Sequence, residues 1–317
     1  MIEPIRDLAH LGHVELFTPR LQESRDFFLE VFGLYETDAS SQSVYLRGFG
    51  DYDRTTLKLT EASTTGLGHV AWRAVSPEAL KRRVAAIEST GLGEGWIDGD
   101  IGHGPAFRFR DPDGHAMEVY YESERYQAPA DRVSYLPNQP QAFEGRGAGA
   151  RRIDHLNLFC QDVPATSAFL SDVLGFRVLE QIVLDERRVA AWMSVTPQPH
   201  DIALTTDRTG RRGRFHHLAY WLDNREDVLR AAELMMERDV FIECGPAKHS
   251  RTQGFYLYVY EPGGNRVEVF SGGFVVYAPD WQTVTWTSTT LGRGTAWGAK
   301  VPDSFHVYGS PPVPFAA

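Results

Sequence analysis

Three side chains in the second half of the chain, His155, His217 and Glu268, lie in strand-like runs, HLNLF, HHLAY and RVEVF. Along a strand, residues i and i+2 share a face. His155 is therefore expected beside Asn157, His217 beside Ala219, Glu268 beside Arg266, and Tyr258 beside Tyr256 and Tyr260. Polar groups from several strands would then converge on a cavity. Two imidazoles and one carboxylate from three strands can occupy one triangular face of a six-coordinate cation and leave the opposite positions open. Such a donor set suits Fe(II) or Mn(II); without cysteine it argues against a structural zinc site and leaves catalytic zinc open. Each residue also has a plainer reading, because a lone strand histidine is more often a hydrogen-bonded core residue. His200, in PHDIALTT, could exchange protons with a phenol because imidazole titrates near neutrality, or it could be a surface histidine after Pro199. Tyr258, in FYLYVYEP, could be an ordinary core aromatic whose hydroxyl needs a partner.

The elements that position these residues occur twice. His13 opens HVELF, and the helical stretch LQESRDFFLEVFG then ends at Gly33; His155 opens HLNLF, and VPATSAFLSDVLG ends at Gly175, the same interval later. GLGHVAWRA around His69 answers FHHLAYWLD around His217, each followed by an amphipathic helical segment, PEALKRRVAAIES and REDVLRAAELMME. DPDGHAMEV answers EPGGNRVEV, so Glu118 matches Glu268. Each half reads as strand, helix and several further strands, taken twice, a pattern suited to α+β modules with helices outside a curved sheet. The join falls near residues 140–150, QAFEGRGAGA, where Gly and Ala replace periodic apolar residues.

Composition narrows the function classes. A chain of 317 residues with 42% apolar and 23% charged residues has room for two cores. No apolar run approaches the roughly 20 residues of a membrane span, and the start, MIEPIRDLAHLGHVELF, lacks the pattern of a secretion signal. A soluble, cytoplasmic protein without a membrane partner is expected. The two cysteines, Cys160 and Cys244, are too few for a disulfide framework, a zinc ribbon or an iron–sulfur cluster. A net charge of -10 argues against a nucleic-acid partner.

In combination, the strand opening at His155, the PHDIAL segment, the paired FHHLAY, the GPAKHS segment and the run GFYLYVYEPGGNRVEVF resemble the type I extradiol dioxygenases of the vicinal oxygen chelate superfamily. That group includes catechol 2,3-dioxygenases and homoprotocatechuate 2,3-dioxygenases. The resemblance spans nearly the whole chain. It implies an α+β glyoxalase-like fold, with four βαβββ modules paired into two barrel-like domains of mixed sheet and helices outside. Residues 1–145 would form a first barrel without a catalytic metal, residues 146–285 a second barrel carrying the active site, and residues 286–317 a tail packed over it.

The resemblance also implies roles. His155, His217 and Glu268 become ligands of Fe(II), with Mn(II) as the alternative, while His216 faces away from the metal. His200 becomes the acid–base residue, His249 and Tyr258 hydrogen-bond the substrate oxygens, and Asn157, Trp192 and Thr252 line the pocket. The implied partners are a catechol and O2, the ring opening beside the diol to give a 2-hydroxymuconic semialdehyde type product, and the implied assembly is a homotetramer. Rival readings are an isomerase of the same superfamily, which has no use for His200 with Tyr258, and a ligand-sequestering protein, which lacks a complete triad.

His13, His69 and Glu118 occupy the positions of the three ligands in the first half. Thr55 stands there in place of His200, however, and Arg108 in place of Tyr258, so a structural role is expected. As aligned by motif, Cys244 and Gly294 stand where relatives acting on homoprotocatechuate carry arginines, which leaves Arg293. An unpaired buried carboxylate is costly, so catechol or a methyl- or halo-substituted catechol is the expected substrate and homoprotocatechuate the alternative.

Overall fold

The computed structural model describes residues 6–292 and 294–312. Arg293 lies outside them. The first half supplies β1 (Leu8–Thr18), β2 (Tyr35–Ala39), β3 (Ser43–Arg47), β4 (Leu57–Glu61), β5 (Gly66–Ala74), β6 (Gly93–Ile97), β7 (Ala106–Arg110) and β8 (Ala116–Tyr120), in the order β2-β3-β4-β1-β5-β8-β7-β6. The second supplies β9 (Arg152–Cys160), β10 (Arg177–Leu184), β11 (Arg187–Ser194), β12 (Ile202–Thr206), β13 (Arg214–Trp221), β14 (Ile242–His249), β15 (Gly254–Tyr260) and β16 (Arg266–Gly272) in the equivalent order. Two short edge strands, β17 (Val284–Trp286) on β10 and β18 (Thr295–Trp297) on β14, extend it. Four βαβββ modules result, each with its first strand parallel to its last.

Local chemistry starts and stops the helices. α1 (Leu21–Phe27) runs into a π-helical turn and ends at Gly33, whose φ of 77° suits a residue without a Cβ. α2 (Pro77–Glu88), α3 (Val163–Asp172) and α4 (Arg225–Glu237) are each capped by a side-chain oxygen, from Ser76, Asp162 and Asn224, that accepts a first-turn N–H. Among the described residues, no helix is long and apolar enough to cross a membrane.

The main core lies between the two sheets as well as behind them. Phe28 and Phe32, from the first module, pack on Tyr220 of β13, with ring centroids 6.3 and 5.7 Å away. Reciprocally, Phe176, just after α3, meets Trp72 of β5 at 4.8 Å. Tyr220 and Trp72 follow His217 and His69 by the same interval, so each half covers the equivalent strand of the other.

The two Pro–Gly turns lock this arrangement. Asn265 donates from Nδ2 to the carbonyl of Phe17 at 3.0 Å, and His115, its counterpart, lies with Nε2 3.1 Å from the carbonyl of Phe159 and 3.2 Å from that of Arg214. Because the other ring nitrogen of His115 bonds Asp111 at 2.7 Å, both nitrogens must donate, which is imidazolium chemistry. Burial alone would lower the pKa of His115, but the Asp111 and Asp113 carboxylates raise it.

The described residues after 285 run along the second barrel, and Pro312 also pairs with Leu67 of β5. β17 straddles the expected boundary at residue 285, and a short helix, α5 (Ser304–Val307), places Phe305 against His216 and Tyr258.

Candidate metal centre

His155, His217 and Glu268 enter from β9, β13 and β16, the adjacent strands at the middle of the second sheet. All three are buried. His155 Nε2 and His217 Nε2 each lie 3.1 Å from Glu268 Oε2 and 3.4 Å from one another. Two imidazole lone pairs and a carboxylate oxygen focused on one point can hold a metal ion. The residues fit that use: Glu268 Oε1 is buried without a hydrogen-bond partner, although His249 Nε2 lies 3.6 Å away.

Simple alternation would have aimed His217 elsewhere. Phe215 pairs with Leu158 and His217 with Asn157, so His216 is an extra residue, a bulge that flips the side chain after it. The bulge also changes what His216 does. Instead of merely facing away, its Nδ1 lies 2.6 Å from Nδ1 of His217. His216 Nε2 donates to the carbonyl of Phe305, and Arg266 approaches its Nδ1, so that Nδ1 is the acceptor. His217 must therefore donate from Nδ1 and present Nε2 as a lone pair.

Asp154 does the same for His155, accepting from its Nδ1 at 2.8 Å. Such outer partners fix the tautomer and orientation of a ligating imidazole. Sequence reading missed both roles. Adjacency to each histidine was visible, but the bulge and the side-chain directions were not.

Electrostatics separate the two imidazoles. Burial lowers both, but hydrogen bonds to Asp154 and Glu268 carry His155 up to about 9, whereas His217 stays near 4. Glu268 is held well below the ordinary carboxylate range: burial opposes ionisation, and the facing histidines overcome it.

A cavity of about 150 Å³ opens on this cluster. Of the site residues expected from the sequence, His155, Asn157, Trp192, His200, His217, His249, Thr252 and Tyr258 line it, with Glu268 behind. His200 is buried, its ring centroid 3.9 Å from that of His155 and its Nδ1 unpartnered. Burial and then His155 depress its pKa well below the usual value, so it is neutral. Tyr258 Oη lies 3.1 Å from His249 Nε2, and burial, then Glu268, keep that phenol protonated.

Asn157 accepts from Thr205, and Thr252 is anchored by its N–H to Glu180 at 2.7 Å. Ile182, Ala190, Ala203, Val301 and Phe305 complete an apolar wall. Cys244 is buried beside Tyr256 and Tyr258, Gly294 lines the cavity, and so does Arg251, which sequence reading did not weigh. Side chains from β9 to β15 can meet around one cavity only because the sheet curls.

Comparison with known proteins agrees with this arrangement. The model of the Glyoxalase/Bleomycin resistance protein/Dioxygenase superfamily matches residues 10–119 and again residues 152–269. The chain is 43% identical to a metapyrocatechase of Geobacillus stearothermophilus, over 98% of this chain and 95% of that one. It is 39% identical to a manganese-dependent 2,3-dihydroxybiphenyl 1,2-dioxygenase of Geobacillus genomosp. 3, over 92% and 94%. Among solved structures, homoprotocatechuate 2,3-dioxygenase from Arthrobacter globiformis superposes with a TM-score of 0.86 at 29% identity, covering 98% of this chain and 94% of that one. Two matched halves, relatives that span almost the full length and a buried His–His–Glu cluster lead to one conclusion: the chain belongs to the type I extradiol dioxygenases of this superfamily.

Proposed function

We propose that this enzyme opens the ring of catechol, or of a methyl- or halo-substituted catechol, beside its two hydroxyls, using O2 and Fe(II), with Mn(II) as the alternative cation. The carrying observation is the focus of His155, His217 and Glu268 on one point at the floor of a cavity that His200, His249 and Tyr258 share with an apolar wall. A cation held there supplies the electronic coupling between an ionised diol and O2 that side chains cannot provide.

The protein's own groups do the rest. His200, neutral and with an unpartnered nitrogen, acts as the acid–base residue for the substrate's protons. His249 and the Tyr258 hydroxyl, already in contact, hydrogen-bond the reacting oxygens. Asn157, Trp192 and Thr252 position the ring, and the wall from Ile182 to Phe305 excludes water around it. In keeping with the family, this reading takes the chain as a cytoplasmic homotetramer, which mass determination in solution tests. Residues 1–145 serve as a barrel without a catalytic metal, and residues 286–317 close over the barrel of residues 146–285.

A specific observation favours a second substrate. Arg251 lines the cavity, held by Ser250 Oγ and the Leu291 carbonyl and stacked over Trp286, and its guanidinium could receive the side-chain carboxylate of 3,4-dihydroxyphenylacetate (homoprotocatechuate). The test is to load anaerobically purified protein with Fe(II), add catechol in air and follow the yellow ring-opened product. Bound iron without colour from any simple catechol would overturn the proposal. A higher kcat/KM for 3,4-dihydroxyphenylacetate than for catechol would select the second substrate.

A further inference from the structure

His13, His69 and Glu118 sit on β1, β5 and β8 at the registers that His155, His217 and Glu268 occupy in the second sheet. Thr55 and Arg108 stand at the registers of His200 and Tyr258, which removes the groups that would act on a substrate. The ligand atoms themselves keep their focus. His13 Nε2 lies 2.9 Å from His69 Nε2, and Glu118 Oε2 lies 3.9 and 3.5 Å from those two nitrogens. All three side chains are buried, and Glu118 Oε2 has no hydrogen-bond partner.

The support behind these atoms is rebuilt rather than lost. β5 carries the same bulge as β13, with Gly68 as the extra residue in place of His216. A Cβ at Gly68 would come within 2.6 Å of the Glu15 side chain, so Glu15 fills the space that a side chain there would take. Glu15 Oε2 lies 3.1 Å from Nδ1 of His69, the atom that in His217 is served by His216. A carboxylate there fixes the His69 tautomer with the Nε2 lone pair inward, as in carboxylate–histidine–metal triads. Thr60 and Lys58 in turn hold Glu15. Arg108 binds Glu118 at Oε1, 2.7 Å away, which leaves Oε2 to face the imidazoles.

We propose that the first barrel binds a divalent transition-metal ion through His13, His69 and Glu118, as a closed structural site. His103, stacked on His13 at 4.5 Å, and Tyr120, 5.3 Å away, cover it. The site takes a cation and no substrate. It is independent of the reading given for the second barrel. The 2.9 Å contact between the two Nε2 atoms is the feature at stake, since a shared proton between the imidazoles would satisfy it as well.

The test uses the full chain, stripped of metal, reloaded with Mn(II) and dialysed, with manganese per folded chain counted by mass spectrometry. Wild type is expected to hold two ions, His217→Ala one, His69→Ala one and the double variant none. Glu118→Gln, which preserves shape, serves as the second first-barrel variant if His69→Ala does not fold, and it too is expected to hold one. One ion in wild type together with none in His217→Ala would overturn the proposal while leaving the second barrel's role intact. Retention of two ions by His69→Ala or Glu118→Gln would overturn the ligand assignment.

Discussion

Replacing Asp154 by Asn tests the claim that the metal centre depends on groups behind its ligands. Asp154 is buried and accepts from Nδ1 of His155 at 2.8 Å, while Arg152 pairs with its other oxygen at 2.7 Å. Asn keeps the shape and one acceptor but loses the charge. A hydrogen bond to a charged group is worth about 1.5–3 kcal/mol, roughly twice a neutral one. Losing half of it leaves a deficit of about 0.8–1.5 kcal/mol, and about 1.4 kcal/mol is tenfold in a binding constant. Arg152 is a third exposed and can turn to solvent, so its loss of partner adds little. The Kd for Fe(II) or Mn(II), measured anaerobically against a competing chelator over a range of pH and corrected for the proton that His155 loses, is expected to rise about 4–12-fold, near the lower end of the roughly 10–100-fold typical of such positions. Asp154→Ala, which leaves the buried N–H without any acceptor, should cost a further ~1–3 kcal/mol. A change below about twofold in Asp154→Asn, with the fold intact by circular dichroism, would refute the reasoning.

Other outcomes follow from the same geometry. Because Asp154 and Glu268 hold the pKa of His155 up to about 9 while that of His217 sits near 4, loading the site near neutral pH should release about one proton per cation. Affinity should rise with pH and level off above the His155 value; titration in weak buffer with a pH indicator measures the release, and none at neutral pH would contradict it. The raised pKa of His115 means that its cross-barrel contribution is complete below the ordinary histidine range and fades as pH climbs through the raised value. Thermal melting of the wild type should therefore drop on the alkaline side by the equivalent of about 1.5–3 kcal/mol, and His115→Asn, which copies Asn265, should flatten that pH dependence. Ala203→Leu, on the cavity wall, should raise KM for catechol by about 10-fold or more through overpacking, with metal content unchanged; an unaltered KM would place the substrate elsewhere.

The amino-acid order alone carries the repeat and the two-barrel plan, because each depends on local regularities, and it offers His155, His217 and Glu268 as candidate ligands, a role that the family resemblance then implied. Helical and strand periodicity, the Gly33 and Gly175 stops and the two Pro–Gly turns all operate over a few residues. The spacing they set brings His155, His217 and Glu268 to adjacent strands. What tertiary structure decided lies beyond that range. The bulge at His216 reverses the alternation on β13 and makes a neighbour of His217 its hydrogen-bond partner; residue types do not announce such an insertion, since it arises from pairing with β9. The cross-barrel contacts of His115 and Asn265, the substitution of Glu15 for a side chain at Gly68 and the arrival of Arg251 at the cavity join residues far apart in sequence. Burial and charge there are properties of the folded neighbourhood, which is why one imidazole of the triad is held protonated and the other neutral although both are plain histidines in the sequence.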